Sequence, residues 1–199
     1  MPAIISNLKT GLKTEFTRKS IHILIAASPA MAAWNRSFTV VFLMAGILAY
    51  IYLESLRIKG IHIPVFSNIA AKAGRSRDAG RFVLGPVTLG MGALIALVFF
   101  PPMTAAIAIY ALAFGDGFAS LIGRPFGRTK PAFLNGKSLE GSLACFAAVF
   151  TASWGVSRSL PISLAASVTA VLTEALPVED FDNILIPLAV ALSVSAIIH

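Results

Sequence analysis

Seven apolar runs separated by short polar connections follow one another along this 199-residue chain. Most of them approach the ~20 residues that a helix needs to cross a bilayer. Only 13% of the residues are charged, whereas soluble domains carry about 25%. Because a bilayer offers no hydrogen-bond partners to the backbone, we predict a single all-α domain over 1–199, a polytopic bundle of about seven transmembrane helices. The runs are 20–34, 38–55, 83–100, 103–122, 139–156, 160–176 and 184–198.

The basic residues lie almost entirely on one side of this predicted bundle. If the seven helices cross in turn, only Arg36 and Arg158 of the 16 lysines and arginines fall on the other side. Cytoplasmic loops carry the excess of these residues, so we predict a cytoplasmic N-terminus and an outside C-terminus. Orientation and anionic headgroups then account for the net charge of +7. We therefore expect membrane lipids as partners and no nucleic acid, and the compact size favours a prokaryotic plasma membrane.

The aspartates and glutamates map to the same predicted side, although the orientation rule does not require this of acidic residues. A polar site facing the cytosol explains their clustering. A transporter would be expected to carry ionisable groups at mid-membrane, and the predicted helices place none there. A small lipid transporter is therefore a less favoured alternative.

Charge and glycine are concentrated between two apolar runs, in residues 115–141. Gly136-Lys137-Ser138 is similar to the tail of a P-loop, but Pro131 stands where that loop needs glycine. Lys137 can nevertheless place a point charge on a phosphate, and Ser138 can donate to a phosphate or ligate a metal. The segment therefore predicts a phosphate-handling site.

Asp116 and the surrounding glycines strengthen this prediction. Mg²⁺ takes one or two carboxylates together with substrate phosphates, so Asp116 is a candidate ligand. Glycine lets backbone N–H groups approach a polyphosphate closely. The alternative is a helix-breaking loop whose glycines serve tight helix packing. The glycines concerned are Gly115, Gly117, Gly123, Gly127, Gly136 and Gly141.

Two further candidates have equally plausible structural roles. His22 shares a predicted helix face with Arg18 and Lys19, so it could contact a phosphate or help deprotonate an acceptor, or it could be an ordinary interfacial histidine. Asp182, which precedes Asn183, could be a second metal ligand or a general base, or only a helix N-cap.

The remaining candidates are weaker. Thr88 lies in a glycine-rich helix start, where N–H groups could face an anion. Tight helix packing is the alternative explanation for this pattern. Glu54 and Arg57 have the spacing of a structural ion pair at a helix end. Glu174 and Asn183 flank the last predicted cytoplasmic loop.

The central segment resembles the CTP-binding signature of the dolichol kinase family, which includes phytol and farnesol kinases and the CTP-dependent diacylglycerol kinase. That signature often carries two lysines followed by threonine; here Gly136 replaces the first lysine and Ser138 the threonine. The residues that carry the resemblance are Asp116, Ala119, Gly123, Gly127, Lys137, Ser138, Glu140 and Gly141.

Outer polar blocks are also similar to those of this family, in the same order. They are Arg18-Lys19-Ser20-Ile21-His22, Glu54 with Arg57, Arg81-Phe82 with Gly85-Pro86-Val87-Thr88-Leu89-Gly90, and Glu174 with Asp182-Asn183.

The resemblance implies a CTP-dependent kinase that phosphorylates the hydroxyl of a long-chain lipid alcohol at the cytoplasmic membrane face. Its products would be a lipid monophosphate and CDP, with Mg²⁺ as cofactor. The acceptor could be polyprenol, dolichol, phytol, geranylgeraniol or diacylglycerol. The alternative enzyme is a CTP-dependent cytidylyltransferase, which would form a CDP-lipid and release pyrophosphate.

On this resemblance, we assign Asp116, with Glu140 or Asp182, to the metal. The general base stays open among Asp182, Glu140 and His22, and Lys137 completes the catalytic set. The nucleotide-binding residues would be Gly115, Asp116, Gly117, Ala119, Ser120, Gly123, Gly127, Arg128, Lys130, Lys137, Ser138, Glu140 and Gly141, with Arg18, Lys19, Arg81 and Thr88 from the outer blocks. Supporting roles would fall to Glu54, Arg57, Glu174 and Asn183.

Overall fold

The computed structural model describes residues 18–64, 66–68 and 80–198. These residues are largely helical and contain no β-strand, so the all-α prediction is confirmed. Short 3₁₀ turns at Ile25–Ala27, Ala132–Leu134 and Glu179–Phe181 and a π-helix at Ala111–Asp116 lie between the main helices. The main helices are α1 (18–24), α2 (Ser28–Ile58), α3 (Gly85–Phe99), α4 (Pro102–Tyr110), α5 (Gly117–Phe126), α6 (Leu139–Ser157), α7 (Leu160–Glu174) and α8 (Asp182–Ile198).

A break at Asn35 divides the first long helical segment, Arg18–Ile58. The backbone at Asn35 is extended, with φ −154° and ψ 105°. Its side-chain oxygen accepts a hydrogen bond from the N–H of Phe38 at 2.9 Å, as an N-cap does for the helix that follows. The break falls between the predicted runs 20–34 and 38–55.

Length divides the apolar helices into two groups. Within the described part of the chain, three segments are long and apolar enough to cross a membrane: Arg18–Ile58, Pro102–Phe126 and Leu139–Ser157. Helices α3, α7 and α8 have 15, 15 and 17 residues, or about 22–26 Å, against a hydrocarbon core of ~30 Å. The number of crossings and the orientation of the termini therefore stay predictions.

The segment Pro102–Phe126, here called the central helix, comprises α4, the π-helix and α5. Helices α2, α3, α6, α7 and α8 pack against its α4 and π-helical parts. Ile107, Ile109 and Leu112 are consequently fully buried. Because the central helix continues directly into the glycine-rich and charged segment, the bundle around it determines where that segment lies.

Arg36 joins α2 to the C-terminal end of α3. Its guanidinium donates hydrogen bonds to the carbonyl oxygens of Leu97, at 2.8 Å, and of Val98 and Phe100, each at 3.3 Å. The last carbonyls of a helix have no intrahelical partner and carry partial negative charge. Arg36 therefore has a structural role in addition to its predicted effect on membrane orientation.

Candidate functional site

A cavity of about 570 Å³ opens beside the C-terminal part of the central helix. The wall is completed by α1, by the loop before α6 and the first turn of α6, and by the end of α7, the loop after it and the start of α8. The lining residues are Arg18, Asp116, Ala119, Ser120, Gly123, Arg124, Lys130, Asn135, Gly136, Lys137, Ser138, Gly141, Ser142, Glu174, Leu176, Pro177 and Asp182. The fold thus brings most of the 115–141 candidates together with residues from both ends of the described chain.

Asp116 is the last residue of the π-helix and is only 7% exposed. Its Oδ2 is paired with Lys19 Nζ and lies 3.2 Å from His22 Nε2. Its Oδ1 accepts a longer hydrogen bond, 3.4 Å, from Ser120 Oγ. The backbone of Leu112, also in the π-helix, hydrogen-bonds the His22 ring. Single-turn π-helices are rare and are frequent at functional sites, and this one aligns Asp116 with α1.

Lys19 and His22 approach Asp116 from the side of α1. Lys19 is 1% exposed, and a buried ammonium group needs a countercharge, which Asp116 supplies. Asp116 lines the cavity, whereas Lys19 and His22 do not. The structure therefore places these two predicted site residues behind Asp116, where they can orient its carboxylate.

A left-handed turn at Asn135 and Gly136 presents Lys137 to the cavity. The φ angles are 51° and 86°, values that glycine adopts freely and that asparagine tolerates better than most residues. Asn135 Nδ2 donates to the carbonyl oxygen of Ala175 at 3.1 Å. Lys137 Nζ lies 2.8 Å from Glu174 Oε1 and also donates to the Glu174 backbone carbonyl. The turn is thereby held against the C-terminal end of α7.

Glu140 closes the loop that precedes α6. Its Oε1 accepts hydrogen bonds from the backbone N–H groups of Arg128 and Thr129, each at 3.1 Å. It also lies in the first turn of α6, where negative charge is favourable. Glu140 does not line the cavity. Glu140 thus closes the loop, and its role as the alternative to Asp182 in binding the metal stays a prediction.

Glycines bring α5 and α6 into close contact. A Cβ atom at Gly123 would lie 3.0 Å from Ser138 Oγ and 3.2 Å from the Gly141 Cα. A Cβ atom at Gly127 would overlap the Gly123 carbonyl oxygen and the Ser138 side chain. Ser138 is the N-cap of α6, because its hydroxyl accepts from the Gly141 N–H at 3.2 Å. These glycines have a packing role, and their contact with phosphates stays a prediction.

The charges around the cavity have both signs, with the positive sign in excess. Such a wall suits a polyanion whose charge is partly balanced by a cation. The basic residues are Arg18, Arg124, Lys130 and Lys137, and the acidic residues are Asp116, Glu174 and Asp182.

Several predicted site residues are absent from the cavity wall. Gly115 packs against α6, where an added Cβ would lie 2.9 Å from Val149 Cγ2. Gly117 faces α1, with Ile23 Cγ1 3.7 Å from an added Cβ. Arg81 and Arg128 are exposed, and neither lines the cavity.

Thr88 and Asn183 form a separate polar contact between the starts of α3 and α8. Asn183 Nδ2 donates to Thr88 Oγ1 at 3.0 Å and to the Gly85 carbonyl at 3.3 Å. Thr88 Oγ1 itself donates to the Gly85 carbonyl at 3.0 Å. The structure therefore supports a packing role for this pair.

Glu54 and Arg57 form the ion pair expected from their spacing. Arg57 donates to both Glu54 carboxylate oxygens at 2.7 Å. Glu54 Oε1 also accepts from the Val83 N–H at 2.9 Å, and Arg57 donates to the Arg81 carbonyl at 2.9 Å. The pair thus joins the end of α2 to the segment that leads into α3.

Sequence reasoning missed several lining residues, notably Arg124 and Ser142. Helical spacing was the available signal, because residues four apart share a helix face. Asp116, Ser120 and Arg124 are separated by four residues each, as are Ser138 and Ser142. Asn135, Leu176 and Pro177 lie in turns whose position depends on the tertiary fold, and no comparable signal existed for them.

The carboxylates that line the cavity fit a magnesium ion whose other ligands are substrate phosphates. No group of three or more His, Cys, Asp or Glu side chains suited to a metal occurs within 18–64, 66–68 and 80–198. Asp116 and Asp182 nevertheless line the same cavity. One or two carboxylates are sufficient when substrate phosphates provide the other ligands.

Comparison with known proteins identifies kinases among the relatives of this chain. The phytol kinase of Synechocystis is 28% identical over 189 residues, which cover 89% of this chain and 77% of that protein. The chloroplastic phytol kinase 1 of Arabidopsis thaliana is 27% identical, and the match covers 92% of this chain and 66% of that protein. The CTP-dependent diacylglycerol kinase 1 of Schizosaccharomyces pombe is 38% identical over 85 residues, or 41% of this chain and 39% of that protein.

These relatives confirm the resemblance seen in the sequence, at modest identity. The chain spans just under two thirds of the Arabidopsis relative's length. No protein-family model matches the chain. No solved structure gives a significant match either.

Proposed function

Taking this chain as a relative of phytol kinases and of a CTP-dependent diacylglycerol kinase, we propose that it transfers the terminal phosphoryl group of CTP to a lipid alcohol. The products are a lipid monophosphate and CDP. The acceptor is a long-chain alcohol such as a polyprenol, dolichol, phytol, geranylgeraniol or diacylglycerol. The observation that carries this proposal is the cavity, where Asp116, Lys137 and Ser138 meet Arg18 and Asp182.

The basic residues of the cavity would hold the phosphates. Phosphoryl transfer depends mainly on positioning and on neutralising the phosphate charge. Lys137 is held at the wall by Glu174, and its ammonium can turn from that carboxylate to a phosphate oxygen. Arg18, Arg124 and Lys130 add positive charge around the same space.

Asp116 would hold a magnesium ion together with the substrate phosphates, whose charge the ion would neutralise when bound. Lys19 and His22 contact Oδ2 of Asp116, and its Oδ1 has a 3.4 Å contact with Ser120. This arrangement favours Oδ1 as the atom directed to the ion. Lys19 and His22 would then act as positioning residues, while Glu140 holds the loop.

Asp182 is the general base that the geometry favours. It lines the cavity, whereas His22 lies behind Asp116 and Glu140 accepts two backbone hydrogen bonds. As the acceptor oxygen forms its bond to phosphorus, Asp182 would take the hydroxyl proton and CDP would leave. A base must come within hydrogen-bond reach of that proton, so the acceptor hydroxyl would bind beside Asp182 at the cavity wall.

We further propose that all seven apolar runs cross the membrane, with the cavity at the cytoplasmic face. The break at Asn35 supports two separate crossings in the first long segment. The distribution of basic residues supports a cytoplasmic N-terminus and an outside C-terminus. A site at this face could receive CTP from the cytosol and a hydroxyl group from the headgroup region.

Product analysis tests the proposal. Purified protein in detergent is incubated with Mg²⁺, with CTP or ATP, and with a panel of lipid alcohols. We expect CDP and a lipid monophosphate, and we expect Asp116→Asn combined with Lys137→Ala to abolish turnover without unfolding the protein. Pyrophosphate with a CDP-lipid would identify a cytidylyltransferase instead. Nucleotide-independent lipid movement in vesicles, without any turnover, would identify a transporter.

A further inference from the structure

Ser142 lines the cavity but belongs to none of the residue groups assigned above. It is 8% exposed. Its hydroxyl oxygen is buried and has no hydrogen-bond partner among the described residues. A buried hydroxyl without a partner is unfavourable, so its position in a cavity wall points to a ligand.

Most buried or half-buried hydroxyls in the neighbouring helical turns have a partner. Serines and threonines inside helices often donate to the carbonyl four residues earlier. In α6 and α7, the residues that do so are Thr151, Ser157, Ser163, Ser167 and Thr173. The Ser142 hydroxyl makes no such bond, so it can donate to another acceptor. Ser153 in α6 also lacks a partner, but it does not line the cavity.

Helix packing places Ser142 at the level of Asp116. The preceding residue, Gly141, packs against the Ala119 carbonyl, and Cys145 packs against Gly115. Ser142 therefore lies at the level of the stretch between Gly115 and Ala119, and it lines the same cavity as Asp116. Cys145, further along α6, is 1% exposed and belongs to the apolar core. Ser142 is thus the last residue of α6 in the wall before the core begins.

We propose, on the basis of the proposed function, that the Ser142 hydroxyl donates a hydrogen bond to the terminal phosphate of the bound nucleoside triphosphate. Arg124 and Lys130 are exposed and therefore lie towards the cavity mouth, while Asp116 and Ser142 lie deeper. A phosphate held near the proposed metal ligand Asp116 would border Ser142, because both residues line the same cavity. Hydroxyl donors bind charged phosphate oxygens more strongly than neutral acceptors.

Calorimetric binding of two nucleotides to the purified full chain in detergent tests this proposal. The ligands are the β,γ-methylene analogue of CTP, which has the terminal phosphate, and CDP, which lacks it. We expect Ser142→Ala to weaken binding of the triphosphate analogue about tenfold, as for a lost hydrogen bond to a charged group, and to leave CDP affinity unchanged. Ser153→Ala is the matched control, because it removes a buried and unpartnered hydroxyl from the same helix away from the cavity.

Three outcomes would overturn the inference while leaving the proposed function intact. These are an unchanged affinity for the triphosphate analogue in Ser142→Ala, an equal loss for CDP, and an equal loss in Ser153→Ala. An unchanged affinity would mean that Ser142 does not contact the terminal phosphate. An equal loss for CDP would mean that Ser142 contacts a part of the nucleotide that CDP shares. An equal loss in Ser153→Ala would mean that removing a buried hydroxyl disturbs the helix in general. A wild-type protein that binds neither nucleotide would instead overturn the proposed function, and the inference with it.

Discussion

The buried pair of Lys19 and Asp116 allows a stability prediction in which the two single substitutions and the double substitution differ. Lys19 is 1% exposed and Asp116 is 7% exposed. Replacing Lys19 with Met leaves the Asp116 carboxylate without its main countercharge. Replacing Asp116 with Asn removes the carboxylate that pairs with the buried Lys19 ammonium. Either change should destabilise the protein, because an isolated buried charge is more costly than a pair.

The expected magnitude follows from burial. Removing one partner of a buried ion pair costs about 3–5 kcal/mol, and we expect about 3 kcal/mol because Asp116 also borders the cavity. For a protein of this size, 1 kcal/mol shifts the melting temperature by about 2–4 °C, so each single variant should melt about 6–12 °C lower. The double variant should lose less than the sum of the single variants, with a coupling energy of about 2–3 kcal/mol.

Cys145 supplies the assay. It is the only cysteine in the sequence and is 1% exposed, so a thiol-reactive fluorescent dye reports its exposure during a thermal scan in detergent. Lys59→Met is the control, because Lys59 is exposed and its replacement should leave the melting temperature nearly unchanged. If Lys19→Met melts like Lys59→Met, or if the double variant shows simple additivity, the buried pair does not join α1 to the central helix as we argue.

Three further perturbations address the loop and the bundle. Gly127→Ala should lower kcat/KM for CTP at least about tenfold, because the new methyl group overlaps the Ser138 side chain. A displacement of about 1 Å at an active site can lower the rate ~100-fold. Steady-state kinetics measure the change in kcat/KM. Gly136→Ala should lower stability by about 1–2 kcal/mol, since φ is 86°, and Gly136→Asn should cost less; dye-monitored melting compares the two. Arg36→Ala should lower stability by about 1.5–3 kcal/mol, because a charged donor to the end of α3 is lost, and the same melting assay measures it.

A matched glycine provides the control for the loop prediction. Gly155 lies in α6, and beyond the adjoining residues and backbone of that helix no described atom lies within 4 Å of an added Cβ. Gly155→Ala should therefore keep wild-type kinetics. Equal loss of activity in Gly127→Ala and Gly155→Ala would contradict the steric argument. For Arg36→Ala, an unchanged melting temperature would contradict the prediction. It would mean that the hydrogen bonds from Arg36 to the carbonyls of α3 do not stabilise the protein.

Much of the secondary structure was predictable because apolar runs and helix boundaries are local properties. The runs 139–156 and 160–176 correspond closely to α6 and α7. The run 103–122 was too short by four residues at its end, since the helix continues to Phe126 through an internal proline, Pro125. The π-helix was not predicted, because no residue pattern distinguishes it from the α-helix on either side.

The candidate site was predictable where its residues belong to one local segment. Asp116, Lys137 and Ser138 were identified from residue type and resemblance, and all three line the cavity. Glu140 shows the limit of such reasoning. A carboxylate beside a phosphate-binding motif could bind a metal ion or accept hydrogen bonds from backbone N–H groups. The path of the loop places the N–H groups of Arg128 and Thr129 at the Glu140 carboxylate.

The apolar helices, the one polar segment between them and the likeness to kinases could all be inferred from the residues alone, because composition, spacing and residue order are properties of the chain. Which distant groups meet depends instead on the three-dimensional packing of the helices. Lys19 pairs with Asp116 across 97 positions, and Lys137 reaches Glu174 across 37. Such contacts depend on how the helices pack around the central one, because burial makes an unpaired charge unfavourable and packing decides which opposite charge is within reach.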